Sequence, residues 1–256
     1  MAKVAFIGLG VMGYPMAGHL KAKGHDVTVY NRSEPRAEAW VKEHKGSMRA
    51  TPRAAAEGAE FVFSCVGNDD DLRSVVYGDN GMLAGMKKDA VLVDHTTTSA
   101  IVAREIAPKA AAQGVAFLDA PVSGGQAGAQ NGVLTVMVGG EETVFAEAEP
   151  VMQAYGKSIT PMGPVGAGQL TKMVNQICIA GLVQGLAEGL NFAMRAGLDA
   201  KKAAKVMSGG AAQSWQMNNR AETMVDGKFE FGLGVDWVRK DLEICLGEAN
   251  GNGARL

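Results

Sequence analysis

An apolar strand pattern, Lys3-Val4-Ala5-Phe6-Ile7, runs without interruption into Gly8-Leu9-Gly10-Val11-Met12-Gly13, and a helical pattern starts directly after it. The spacing is G-x-G-x-x-G at the first strand-to-helix turn, the context in which it acts as a dinucleotide fingerprint. The first glycine permits the tight turn and the second lets backbone approach a pyrophosphate. The third lets helix and strand pack closely, and the helix start supplies unpaired N–H groups for the phosphates. A ligand-free glycine turn is the plainer alternative. Gly8, Leu9, Gly10, Val11, Met12 and Gly13 are therefore the first candidate cofactor-binding residues, and they require a fold that places a parallel strand under that turn.

The rest of the first 160 residues agrees. Short runs rich in Val, Ile and Phe predict strands at Lys3–Ile7, Asp26–Tyr30, Phe61–Val66, Ala90–Asp94, Val115–Ala120, Thr135–Gly139 and Lys157–Thr160. Helical stretches at Val11–Lys23, Glu34–Lys45, Ser99–Gln113 and Glu141–Ala154 separate them. Strands alternating with helices build a parallel, doubly wound sheet. After Pro161-Met162-Gly163-Pro164 no further β-rich run occurs, and apolar residues recur at helical spacing. The expected fold class is α/β, with an N-terminal Rossmann-like domain at 1–163 and an all-α domain at 164–256. A helix over about Ala167–Ala196 joins the two. Gly181, Gly185 and Gly189 put a side-chain-free stripe on that helix, suited to close packing within or between subunits.

Charge and cysteine content narrow the class. Lys and Arg number 25 against 27 Asp and Glu, so no basic surplus points to nucleic acid. Cys65, Cys178 and Cys245 have no C-x-x-C spacing, which argues against a zinc cage or disulfide framework and for reduced thiols in a cytoplasmic setting. Gly8, Gly10 and Gly13 interrupt any signal-like start. The apolar stretch Ile177–Met194 carries Gln184, Glu188 and Asn191, a pattern that suits a buried protein helix better than a bilayer span, so no membrane segment is expected.

In open α/β sheets, ligands bind beyond the carboxyl ends of strands. The second strand ends at Tyr30-Asn31-Arg32-Ser33. Asn31 stands where an NAD-specific protein usually has Asp or Glu, and Arg32 with Ser33 suits a 2′-phosphate, so NADP is favoured over NAD. A surface Arg and a helix-capping Ser are the simpler reading of the pair. Further along, Val66-Gly67-Asn68, Asp94-His95-Thr96-Thr97-Thr98 and Asp119-Ala120-Pro121-Val122-Ser123-Gly124-Gly125 follow strands. In the last of these a hydroxyl and two glycines make a good cradle for a substrate carboxylate, or only a turn. Lys172 is the sole basic residue between Lys157 and Arg195. Isolation of that kind, with Asn175 three residues on, marks it as a candidate for proton exchange in a cleft, a snorkelling lysine being the alternative.

With these motifs in order, joined by Gly166-Ala167-Gly168-Gln169-Leu170-Thr171-Lys172-Met173-Val174-Asn175 and Arg239-Lys240-Asp241-Leu242, the chain resembles the β-hydroxyacid dehydrogenase family over essentially its whole length. The resemblance implies NAD(P)-dependent hydride transfer between nicotinamide and a small hydroxy acid or semialdehyde carboxylate, without a metal. It implies Lys172 as general acid/base and Ser123, Gly124 and Gly125 on the carboxylate, with Asn175 orienting the substrate. Thr97 and Lys240 would contact the cofactor, and Val66 and Gly67 would line its adenosine side. Trp215 and Phe231 would wall the pocket, or else pack as ordinary core aromatics. A homodimer or homotetramer is expected. Two departures stand out. Family members usually continue past the equivalent of Leu256 through another helix or two, so the helical domain reads as C-terminally shortened. His95 occupies a position expected to hold a residue such as Met, and reads as a hydrogen-bonded spacer rather than an acid/base partner. An imine reductase, a decarboxylating sugar-phosphate dehydrogenase and a non-catalytic NADP-binding redox sensor are the competing readings. The intact Lys172 and Ser123-Gly124-Gly125 argue against the first.

Overall fold

A computed structural model describes residues 1–256. In chain order the elements are β1 (Lys3–Ile7), α1 (Gly13–Ala22), β2 (Asp26–Tyr30), α2 (Glu34–His44), β3 (Ser47–Met48), α3 (Pro52–Ala56), β4 (Phe61–Ser64), α4 (Asp69–Val76), α5 (Met82–Gly85), β5 (Val91–Asp94) and α6 (Ala100–Ala111). They continue with β6 (Ala116–Asp119), β7 (Val122–Ser123), α7 (Gly125–Gln130), β8 (Leu134–Gly139), α8 (Glu142–Met152), β9 (Gly156–Gly163), α9 (Ala167–Arg195), α10 (Ala200–Met207), α11 (Trp215–Val225) and α12 (Val235–Asn252).

The sheet runs β3-β2-β1-β4-β5-β6-β8-β7, with β9 paired to β8. From β3 to β6 every pairing is parallel. The chain builds outward from β1 to β3, then returns to the other side of β1 at β4. The direction therefore switches between β1 and β4, the place where such sheets open a crevice beyond their strand ends. Alternation along β1 explains the two-sided core. Val4 and Phe6 join a cluster with Leu20, Val29, Trp40 and Tyr155 on one face. Ala5 and Ile7 join Val62, Leu92, Val102 and Ile106 on the other.

The sheet is not parallel throughout, as the alternation had suggested. β8 meets β6 and β7 antiparallel. The cause is local: α7 has only six residues, about 9 Å of helix, too short to carry the chain back for a parallel re-entry.

Contacts divide the chain into two compact units, Met1–Met173 with Glu243–Leu256, and Val174–Leu242. The second unit has its own core of Leu186, Leu190 and Ala193 on α9 against Ala200, Ala204, Met217 and Ala221. This core covers one stripe of α9 only. The expectation of a buried helix is accordingly corrected: α9 is long and apolar enough to cross a membrane, yet just 17 % of its most apolar window is buried within the chain. Val174, Leu182, Val183, Phe192 and Met194 are exposed on it.

Candidate active site

The turn after β1 is held on three sides. Gly8 N–H donates to the Tyr30 carbonyl at 2.9 Å, and Leu9 N–H donates to Asn31 Oδ1 at 2.9 Å. The Arg36 guanidinium donates to the Leu9 carbonyl while lying over the Tyr14 ring. Gly8 has φ +96°, and a Cβ there would sit 2.3 Å from the Cys65 carbonyl oxygen. A side chain is thus excluded twice, by conformation and by the neighbouring strand end. A Cβ at Gly13 would lie 2.0 Å from the Gly8 carbonyl oxygen, whereas one at Gly10 would meet nothing within 4 Å. The middle glycine faces open space, as an approaching ligand requires.

The helix start behind this turn has the chemistry of an anion site. The side chains of Thr51, Asn68, Ser99, Asp199 and Ser214 cap their helices. α1 has no side-chain cap and no acid in its first turn. Pro15 has no N–H, and those of Tyr14 and Met16 donate to the Gly10 and Met12 carbonyls, so what α1 leaves for a ligand is chiefly the positive end of its dipole. These residues fit a dinucleotide pyrophosphate.

Asn31 spends both ends of its amide on the turn itself, Oδ1 on Leu9 and Nδ2 on the Ser33 carbonyl at 3.0 Å. Arg32 is 86 % exposed and pairs with Asp71 at 3.2 Å. The Ser33 hydroxyl does not cap α2. An exposed guanidinium and an uncommitted capping hydroxyl thus stand side by side at the end of β2.

At the ends of β4 and β5, Val66 N–H donates to Thr96 Oγ1 at 3.0 Å, and Thr96 Oγ1 donates to Asp94 Oδ1 at 2.7 Å. Thr96 and Thr98 are buried and Thr97 between them is half-buried. The strand-end residues Val66, Gly67 and Thr97 therefore belong to one braced loop cluster.

Lys172, on the second turn of α9, is 7 % exposed and its Nζ donates to the Val122 carbonyl at 2.8 Å. Ser123 follows immediately, and Gly124 and Gly125 have φ of +132° and +61°. Positive φ at two successive residues is backbone that glycine adopts and other residues avoid, which keeps this turn bare of side chains. The proton-exchange and carboxylate candidates are brought together. Asp119, which the sequence motif contained without a stated role, fixes that arrangement. Its Oδ1 accepts from Gly166 N–H at 2.7 Å and its Oδ2 from Gln169 N–H at 2.9 Å, so the end of β6 seats the first turn of α9. Burial raises the Asp119 carboxyl above its usual range, against the pull of these N–H groups.

Asn175 and Lys240 lie in the helical unit. There Asn175 Nδ2 donates to Gln176 Oε1 at 2.8 Å, Gln176 Nε2 donates to Asp241, and Lys240 pairs with Asp241 at 3.0 Å. Trp215 and Phe231 are not core aromatics. They flank the Arg220 guanidinium at 4.9 and 4.0 Å.

His95 is fully engaged in the core. A carbonyl can only accept, so Nδ1–H donates to Ala120 O at 2.6 Å and Nε2 accepts from the Tyr155 hydroxyl at 2.7 Å. Burial lowers its pKa from 6.5 to about 4. Burial raises the adjacent Asp94 from 3.8 to about 7, with the hydrogen bonds from Thr96 and Ser64 opposing. The two act on stability in opposite directions. Between roughly pH 4 and 6.5 the unfolded chain protonates the histidine and the folded chain does not, so stability falls as pH falls. Over nearly the same window the folded chain keeps the Asp94 proton that the unfolded chain loses, so stability falls as pH rises. Asp94→Asn is expected to remove the second slope, leaving unfolding free energy to climb by about 3 kcal/mol between pH 4 and 6.5. Urea denaturation across that range checks this, and a flat profile in the variant refutes it.

Two family models account for nearly the whole chain: residues 3–163 match the NAD binding domain of 6-phosphogluconate dehydrogenase, and residues 166–256 match the NAD-binding domain of NADP-dependent 3-hydroxyisobutyrate dehydrogenase. The chain belongs to the β-hydroxyacid dehydrogenase family. As a β-hydroxyacid dehydrogenase it is an NAD(P)-dependent oxidoreductase acting on CH–OH groups. An uncharacterized oxidoreductase of Shewanella frigidimarina is 62 % identical over 256 residues, covering 100 % of this chain and 88 % of that protein. The 3-hydroxyisobutyrate dehydrogenase of Pseudomonas aeruginosa is 35 % identical, over 97 % of this β-hydroxyacid dehydrogenase and 86 % of its own length. Among solved structures, 3-hydroxyisobutyrate dehydrogenase of Mycobacterium tuberculosis with L-serine superposes with a TM-score of 0.89 at 28 % identity, covering 100 % of this chain and 89 % of that one.

Proposed function

We propose that this β-hydroxyacid dehydrogenase interconverts a small carboxylate-bearing semialdehyde and its hydroxy acid, with NADP as the preferred cofactor. One observation carries the reading: the buried Lys172 ammonium, 2.8 Å from the Val122 carbonyl, sits against the residues that lead into Ser123, Gly124 and Gly125. The Gly124-Gly125 turn and the Ser123 hydroxyl bind the substrate carboxylate, which fixes the carbonyl carbon relative to Lys172. In reduction, Lys172 Nζ donates a proton to the carbonyl oxygen as it gains charge. In oxidation the neutral amine takes the hydroxyl proton back. The Val122 carbonyl orients the ammonium before substrate arrives. When bound, the nicotinamide supplies or accepts the hydride at C4. The turn from Gly8 to Gly13 and the start of α1 hold its pyrophosphate, with Val66, Gly67 and Thr97 along its length. Asn175 as substrate-orienting group and Lys240 as cofactor contact follow the family pattern and belong to the same proposal.

The exposed Arg32 beside Ser33 supports NADP, because a guanidinium fork suits a 2′-phosphate. The glycine stripe supports a homo-oligomer. A Cβ at Gly181, Gly185 or Gly189 would meet nothing within 4 Å, and the apolar face of α9 around Leu182 and Val183 stands exposed. A second copy of the chain is the proposed cover.

Parallel fluorescence titration with NADPH and NADH tests the reading, followed by absorbance at 340 nm with glyoxylate and a series of semialdehydes. NADPH-dependent oxidation of at least one aldehyde is expected, and sedimentation of the same sample should give a dimer or tetramer. Arg32→Glu should weaken NADPH binding about tenfold and spare NADH. Tight NADPH binding with no aldehyde turned over would favour a non-catalytic cofactor-binding module instead.

A further inference from the structure

We propose that Gln169 is a positioning residue that sets Thr97 for the cofactor and ties it in register to Lys172. The inference rests on the dehydrogenase reading above, in which Thr97 touches the dinucleotide. Gln169 has no exposed surface. Its Nε2 donates to the Thr96 carbonyl at 2.7 Å, and its Oε1 accepts from Thr98 N–H at 3.1 Å. A single primary amide thus pairs with the backbone on both sides of Thr97, as a neighbouring strand would. That backbone cannot rotate without breaking a buried bond, so the one half-buried residue of the three keeps a fixed presentation.

The other end of the same residue is equally constrained. Gln169 N–H donates to Asp119 Oδ2, and Lys172 lies three residues further along α9, on the same side of the helix. One side chain therefore links the segment beyond β5 to the turn that carries the proton donor. Nothing in this arrangement needs Gln169 to touch a ligand. Its effect passes through Thr97.

Gln169→Glu separates this role from simple packing, because glutamate is nearly isosteric. Ionised, it keeps the acceptor for Thr98 N–H but sets an oxygen against the Thr96 carbonyl. Protonated, it restores a donor there. The Kd for NADPH, read by fluorescence, is expected to rise about tenfold at pH 8.5 and to return toward the wild-type value near pH 5.5. Gln169→Met, which fills the volume without either bond, should show the weakened binding at both pH values. Thr97→Ala should then weaken NADPH binding in the wild type but add little in the Gln169→Met background. Wild-type Kd values in both Gln169 variants, or an undiminished Thr97→Ala penalty, would overturn the proposal. Turnover of aldehydes by the wild-type enzyme is measured alongside. Its absence counts against the dehydrogenase reading, while the Kd series still decides the role of Gln169.

Discussion

Lys172→Ala is expected to lower kcat by about three orders of magnitude while the Kd for NADPH stays within about threefold of wild type. The asymmetry follows from where the side chain points. Lys172 Nζ is held on the Val122 carbonyl, beside the turn proposed to bind the substrate carboxylate. Removing it takes away the proposed proton donor for the alkoxide, while the turn from Gly8 to Gly13 keeps its own bonds to the Tyr30 carbonyl and Asn31. Single-turnover measurements with saturating NADPH isolate the chemical step. A variant that retains kcat within a factor of about five would remove Lys172 from the mechanism.

Asp119→Ala should cost about 3–5 kcal/mol of unfolding free energy. Its carboxylate is wholly buried and is the acceptor for Gly166 and Gln169 N–H groups at the start of α9. Alanine leaves those donors unsatisfied inside the protein and removes the negative charge that complements the helix dipole. Guanidinium denaturation gives the value directly. A loss below about 1 kcal/mol would mean that water enters and replaces the carboxylate.

Both residues lie in motifs that were legible in the sequence, but only one role was. Lys172 announces itself because a lone cation in a long apolar helix demands a reason. Asp119 looks like any strand-end acid, and its partners at Gly166 and Gln169 are some fifty residues away along the chain. The same contrast runs through the fold. β1 and β2 have the predicted limits because their apolar runs are bounded by Lys, Asp and Gly. β3 is two residues long and carries no periodicity to read. α4 carries its start signal in the sequence: Asn68 caps it, accepting from Asp71 N–H, and three acids fill its first turn. The Asn31 amide braces the glycine turn, a loop contact that spacing does not encode. The pairing of His95 with Tyr155 joins residues sixty apart, and only the folded sheet brings them together.

The boundary between the two compact units falls one residue after Lys172. Lys172 therefore belongs with the glycine turn, Thr97, Gln169 and Ser123, although it is carried on a helix that continues into the other unit. Every hydrogen bond described around Lys172 is made by residues of Met1–Met173. A lineage built on this plan keeps Lys172 with the larger unit, while the proposed substrate and cofactor contacts of Asn175 and Lys240 belong to the smaller one.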